Sequence, residues 1–195
     1  MEDATPFPHI ETERLLLTIP AEDAAPRMLA FALENREHLT RWQPPEPAGY
    51  DTERFWRDYL QRSREDFTAG RALRLVIFER GNVSGPVIGE CNFTNFVRGP
   101  FQACFLGYKI DFRAEGRGLM REALTASISY AFDTLRLHRI MANYIPTNER
   151  SGGLLRRLGF VVEGYARDYL LINGEWRDHI LTSLTNTRLK PGDLL

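Results

Sequence analysis

The segment Lys109–Leu124, KIDFRAEGRGLMREAL, constrains the fold of this chain more than any other. A short apolar strand, FQACFLGYKI (Phe101–Ile110), runs into a turn bracketed by Gly116 and Gly118. A helix follows at once, expected over Gly116–Leu135, with Leu119, Ala123, Ala126 and Tyr130 on its inner stripe. HRIMANYI (His138–Ile145) is then a further strand, and such a strand–helix–strand unit belongs in a sheet with helices packed on it. The turn adds a chemical constraint. A helix start offers unpaired N–H groups and the positive end of the macrodipole, and glycine lets an anion approach that backbone without meeting a Cβ. The five amides from Gly116 to Met120 suit a pyrophosphate, with Arg117 and Arg121 near its outer charge. Glu115 places a carboxylate at the same point, free to face solvent or to pair with Arg113, Arg117 or Arg121. The turn has neither the Gly-Lys-Ser/Thr ending of a nucleoside-triphosphate loop nor the three glycines of a dinucleotide site. Taken alone, an anion cradle and a plain helix start explain it equally well.

Around this unit the elements follow a simple order. ERLLLTIP (Glu13–Pro20) reads as a strand, Ala24–Leu39 as a helix capped by Asp23, RWQPPEPAGY (Arg41–Tyr50) as a proline-rich loop, and Asp51–Gly70 as a second helix. Strands at Ala72–Glu79 and Pro86–Phe96 precede the unit. A short helix over Asn148–Gly159 and a hairpin over Phe160–Leu184, turning at Asn173–Gly174, close the chain. No repeat, linker or low-complexity segment divides the 195 residues, so residues 1–195 are expected to form one α/β domain.

Composition narrows the function. A net charge of −1 gives no electrostatic case for a nucleic-acid or bilayer partner. No run approaches the roughly 18 apolar residues of a membrane span, and the N-terminus MEDATPFPHIETERLLL is acidic and proline-broken, unlike a secretory signal. Cys91 and Cys104 read as reduced core residues rather than a disulfide or a metal site. A cytoplasmic protein without metal, membrane or direct nucleic-acid partner is expected.

The turn EGRGLM, the strand after it and the segment NERSGGLLRRLGF together resemble the GCN5-related N-acetyltransferase (GNAT) superfamily. Its hallmark, Gln/Arg-Gly-x-Gly-Ile/Leu/Val-Gly/Ala, binds the pyrophosphate of acetyl-CoA; here Glu115 stands in the Gln/Arg place and Met120 in the small-residue place. The resemblance runs from TERLLL to NGEWRDHILTSL. It is tighter with one branch, the ribosomal-protein N-terminal acetyltransferases that modify an alanine on a small-subunit protein. The stretches NFTNFVRGPFQACFLGYKI, GLMREALTASISYAF and HRIMANYIPTNERSGGLLRRLGFVVEGYARDYLLINGEWRDH carry that similarity. It implies an α/β GNAT fold, a mixed, mostly antiparallel sheet of about seven strands covered by helices on both faces. It also implies acetyl-CoA as cosubstrate, no metal, and direct acetyl transfer through a tetrahedral intermediate to the N-terminal α-amine of a ribosomal protein. Transfer to a small amine (polyamine, aminoglycoside or amino acid) and a non-catalytic ribosome- or RNA-binding role are the competing expectations. Monomer and dimer are both open.

The resemblance further implies cofactor contacts for Tyr108, Lys109 and Ile110, where two strands splay to admit the pantetheine arm. Glu115, Gly116, Arg117, Gly118, Leu119 and Met120 follow in the turn, and Asn148 and Ser151 on the next helix. The Ile110 N–H is the expected oxyanion donor, beside a reading of Ile110 as an ordinary buried strand residue. Asn148 equally suits a helix N-cap. The tyrosine that serves the leaving thiolate in many members falls at Leu155, so its role does not transfer; Ser151 matches the serine of this branch or simply faces the helix surface. Ser151, Glu90 and Asp168 are the catalytic candidates. ACFLGY lacks the strand glutamate of related enzymes, and Glu90, Asp168, Asp178 and His179 are each more commonly structural than basic. An α-amine of pKa about 7.7–8.0 is already partly neutral, so no single indispensable base is expected. Trp42, Tyr50 and Tyr144 are expected to line the acceptor groove, with Trp56 better suited to the core. Glu46, Asp51, Asp168 and Asp178 would attract an ammonium group and a basic tail.

Overall fold

The structure, a computed structural model, describes residues 6–190 and residue 192, so the first five residues of the acidic N-terminal segment lie outside the described residues. One sheet of eight strands organises it: β1 (His9–Glu11), β2 (Leu15–Thr18), β3 (Leu73–Glu79), β4 (Gly89–Val97), β5 (Ala103–Ile110), β6 (Arg139–Tyr144), β7 (Val161–Ile172) and β8 (Glu175–Thr185). Their order is β1-β2-β3-β4-β5-β6-β8-β7, antiparallel throughout except for the parallel pair β5–β6. The helices are α1 (Ala25–Glu34), α2 (Arg36–Thr40), α3 (Glu53–Thr68), α4 (Leu119–Asp133) and α5 (Glu149–Arg157).

Strand alternation sorts the core onto two faces. Leu73, Leu75, Ile77, Cys91, Phe93, Cys104 and Leu106 pack with Leu119, Ala123, Leu124 and Ile128 of α4. Val76 and Phe78 point the other way, against Met28 and Phe31 of α1 and Trp56 and Leu60 of α3. Each fully buried Val, Leu, Ile, Phe or Met among them contributes about 1.5–3 kcal/mol. Both cysteines are buried and free, as expected for core residues. Among the described residues no helix is long and apolar enough to cross a membrane.

Several boundaries differ from expectation for local reasons. The helix expected over Ala24–Leu39 is two helices, broken at the fully buried Asn35. The Asn35 amide nitrogen donates to Phe31 O at 2.9 Å and to Asp111 Oδ2 at 3.2 Å, and its oxygen accepts from Phe112 N at 2.9 Å. A side chain that captures the loop after β5 interrupts its own helix. Asp23 is not the cap: it lies inside a 3-10 turn, Glu22–Ala24, and α1 starts from Ala24 without a side-chain cap. β1 is an eighth strand, three residues long and too polar to stand out in the sequence. α4 begins at Leu119 rather than Gly116, because Gly116 and Gly118 adopt φ of 72° and 76°, outside the helical region.

The central strands part before they end. β5 and β6 pair only at Ala103–Arg139, Cys104–Ile140 and Phe105–Met141. β5 then stays with β4 as far as Gly89–Ile110, and β6 with β8 as far as Tyr144–Ile180. The middle of the sheet therefore opens into a wedge.

Candidate active site at the strand gap

The ladder register fixes which backbone groups face the wedge. Asp111 N–H donates to Ile88 O at 2.8 Å, in the same register as Glu90–Lys109 and Asn92–Gly107. Antiparallel alternation then directs the amides of Gly107 and Lys109 toward β4, and those of Tyr108 and Ile110 into the gap, where β6 does not pair with them. The Ile110 N–H has the orientation an oxyanion donor needs. Lys109 does not share it, since its backbone belongs to the β4 ladder.

The wedge leads toward the glycine turn. α4 starts there with no side-chain cap, so its first N–H groups are not taken by a capping side chain. A Cβ built on Gly116 would meet nothing within 4 Å, which leaves open space beside those amides. The turn is held from behind. Arg14 Nη1 donates to Arg117 O at 3.0 Å, while its Nε donates to Glu122 Oε2 at 2.7 Å. Thr12 Oγ1 and the Arg14 N–H donate to the other Glu122 oxygen at 2.6 and 2.9 Å. Burial opposes the Glu122 charge, but these hydrogen bonds outweigh it and keep the carboxyl below its usual range. Sequence reasoning missed Arg14 and Glu122, which only the fold brings together.

Glu115 pairs with none of Arg113, Arg117 or Arg121, nor does it face open solvent. One oxygen meets His38 Nε2 at 2.9 Å and the other forms an ion pair with Arg150. The carboxylate thus links α2 to the first turn of α5 at the mouth of the wedge.

Tyr108 and Ser151 meet on the α4–α5 face of the sheet, with Tyr108 Oη 2.7 Å from Ser151 Oγ. Burial pushes the Tyr108 phenol up to about 12, so it stays protonated and available as a donor. Asn148 caps α5, its Oδ1 accepting from Ser151 N at 3.1 Å. Tyr144 belongs to this face too: its ring occupies the place of a side chain at Gly152, where a Cβ would lie 2.7 Å away. It is thereby on the opposite side of the sheet from Tyr50.

The other face carries Glu90 and Lys109, an ion pair at 2.7 Å with Glu90 only 1 % exposed. That contact lacks hydrogen-bond directionality at Glu90 Oε2, and Tyr59 Oη reaches Oε1 at 3.4 Å. Lys109 Nζ also lies 3.4 Å from Tyr50 Oη and 5.7 Å from the rings of Phe31 and Trp56. Burial disfavours the ammonium, but Glu90 and Tyr50 hold its pKa above the ordinary lysine range. Trp56 is core, 1 % exposed.

Asp168 sits elsewhere, at a bulge on edge strand β7 with φ 45°, its N–H donating to Asp178 Oδ1 at 2.8 Å. β6 and β8 separate it from β5. Asp178 accepts from Tyr165 Oη at 2.5 Å, and buried His179 pairs through Nδ1 with Arg177 O at 2.9 Å. Trp42 lies half-buried on the proline loop under Arg41. Beside it the hairpin tip closes on that loop, Asn173 N donating to Gln43 O at 3.4 Å, around a cleft of about 530 Å³ lined by Arg36, Pro45 and Glu46.

Known proteins share this fold. Residues 14–161 match the family model described as an acetyltransferase (GNAT) domain. The [Ribosomal protein uS5]-alanine N-acetyltransferase of Escherichia coli K12 is 44% identical over 187 residues, 96% of this chain and 95% of that protein. A ribosomal-protein-S5-alanine acetyltransferase from Vibrio fischeri superposes with a TM-score of 0.89 at 36% identity, over 94% of this chain and 100% of the other. Mycobacterium smegmatis RimJ, solved in complex with CoA-disulfide, gives a TM-score of 0.83 at 25% identity over 94% and 88%. The open strand wedge, the glycine turn at its end and these matches agree: the chain belongs to the GNAT acetyltransferase family.

Proposed function

We propose that residues 1–195 act as one N-acetyltransferase domain that moves acetyl from acetyl-CoA to the N-terminal α-amine of an alanine on a small-subunit ribosomal protein of the uS5 type. The wedge carries this reading, because it offers two uncommitted strand amides, a glycine turn opening a helix, and a paired tyrosine and serine between them. These groups fit a phosphorylated thioester cosubstrate. The Gly116–Met120 amides would hold its pyrophosphate, the Tyr108 and Ile110 backbone its amide-bearing arm, and the Ile110 N–H the carbonyl oxygen as charge develops there. Ser151, backed by the protonated Tyr108 hydroxyl, would donate to the departing thiolate. The acceptor choice rests on the similarity to uS5-alanine acetyltransferases along almost the whole chain.

Neither Glu90 nor Asp168 stands ready as a base. Glu90 already faces the Lys109 ammonium, and Asp168 lies beyond β6 and β8. An amine that is partly neutral near pH 7.7–8.0 loses its remaining proton to water. The test is acetyl-CoA turnover on a peptide copying the alanine-starting N-terminus of a uS5 protein, with spermidine and an aminoglycoside assayed alongside. An acetylated α-amine on the peptide is expected. Turnover confined to the small amines would overturn the acceptor, and cofactor binding without any turnover would overturn the enzyme.

A further inference from the structure

Asn92 carries a side-chain oxygen that the fold leaves unused among the described residues. It lies in β4, opposite Arg74 of β3 and Gly107 of β5. Its Oδ1 is buried and has no hydrogen-bond partner among the described residues. The other buried oxygen in that position, Glu90 Oε2, at least faces the Lys109 ammonium. A buried amide carbonyl left unpaired is costly, and a strand position of this kind would more cheaply hold a valine or leucine.

Its neighbour across the ladder is equally unusual. Gly107 lies on a central strand with β4 on one side and the wedge on the other, yet it is exposed. A Cβ built there would meet nothing within 4 Å, and its φ is not in the left-handed region. Neither packing nor backbone conformation therefore requires glycine. What glycine leaves is free space above the sheet, two residues past Phe105, where β5 and β6 part.

We propose that the half-buried Asn92 side chain turns its oxygen toward the open space over Gly107 and there receives the terminal amine of the acceptor. The inference rests on the acetyl-transfer reading and adds the residue that orients the nucleophile. Asn92 and Gly107 belong to the α1–α3 face, whereas the side chain of Tyr108, the next residue, meets Ser151 on the opposite face. An amine at Gly107 and the hydroxyl donors at Tyr108–Ser151 flank the gap from its two sides, as direct attack with departure of a thiolate requires. The new C–N bond forms on the Asn92 side; the C–S bond breaks on the Ser151 side, the thiolate taking up a proton there and the amine releasing one to water. A neutral amide oxygen suits the task. It accepts one amine N–H without stabilising the ammonium as a carboxylate would, so the lone pair remains for attack.

Two variants test this, Asn92→Leu and Gly107→Val, each assayed for turnover of the uS5-type alanine peptide, for acetyl-CoA affinity by calorimetry and for melting temperature. For Asn92→Leu, kcat/KM on the peptide should fall about 10- to 100-fold while acetyl-CoA affinity stays within about twofold. Its melting temperature should hold or rise, since an unpaired buried carbonyl is removed. Gly107→Val should lose peptide turnover with the cofactor still bound. Peptide turnover within twofold of the unaltered chain in Asn92→Leu would overturn the proposal, as would a fall in melting temperature matched by lost acetyl-CoA affinity. If the unaltered chain turns over only small amines, the acceptor reading fails and the same variants are scored on those amines. If it turns over nothing, both fall together.

Discussion

The two faces of the sheet at the wedge are built by different means. On the α4–α5 side the site is mostly backbone: strand amides freed by splaying and helix-start amides freed by glycine. On the α1–α3 side it is side chains, with Glu90 paired to Lys109 under an aromatic roof of Phe31, Tyr50 and Trp56, and Asn92 beside an empty glycine position. A site of backbone amides depends little on the side chains around it. A face built from side chains depends on each of them, and the acceptor position proposed above lies on that face.

The sharpest way to test that contrast is Lys109→Met. It strands the Glu90 carboxylate at 1 % exposure with only Tyr59 Oη within reach, and should cost about 3–5 kcal/mol in chemical unfolding. Adding Glu90→Leu should recover most of that loss and leave acetyl-CoA affinity within about twofold. A single-variant loss below about 1 kcal/mol would show that water reaches the pair. Ser151→Ala probes the other face with the opposite signature, a drop in kcat of about 100-fold, near 2.7 kcal/mol, with unfolding unchanged. Equal losses in stability and rate would mean that the Ser151 hydroxyl serves only to hold Tyr108.

Between the faces, Asp111 ties the end of β5 to Asn35. Bonds from the Arg113 side chain outweigh burial and, with Asn35, draw its carboxyl down to about 2 from 3.8. A lowered folded pKa stabilises above the unfolded value and is lost as pH falls through the folded one. Stability should therefore decline by about 1–2 kcal/mol between pH 4 and pH 2, the half-exposed Arg113 limiting the gain. Asp111→Asn should flatten that limb of the pH profile; an unchanged limb would exonerate Asp111. The smallest expected effect is at the mouth. Glu115→Gln releases Arg150 from its carboxylate and should lower the Michaelis constant for acetyl-CoA about twofold, without loss of fold. Abolished binding would mean the cradle lies elsewhere.

Much of this was legible in the chain itself. The strand–turn–helix at Ala103–Asp133, the closing hairpin and the N-cap at Asn148 are local, and glycine spacing or hydrophobic period reveals them. The partners of Glu115 were not, because His38 and Arg150 approach from helices 77 and 35 residues away in sequence. Nor was the side of the sheet on which each candidate stands. Tyr144 and Tyr50 look alike in sequence, yet one packs on Gly152 and the other over Lys109. Strand parity alone cannot say which helices cover which face.

The sequence by itself determined the order of elements, the glycine turn with its unpaired amides, and the likeness to a family of acetyltransferases. Those depend on residues adjacent along the chain, where φ preferences and side-chain periodicity act directly. Tertiary structure decided where β5 leaves β6, that Glu90 is consumed by Lys109, that Arg14 and Glu122 brace the turn, and that the Asn92 oxygen, beside Gly107, has no hydrogen-bond partner among the described residues. Each is a relation between segments far apart in sequence, set by ladder register and helix packing, which no local pattern encodes.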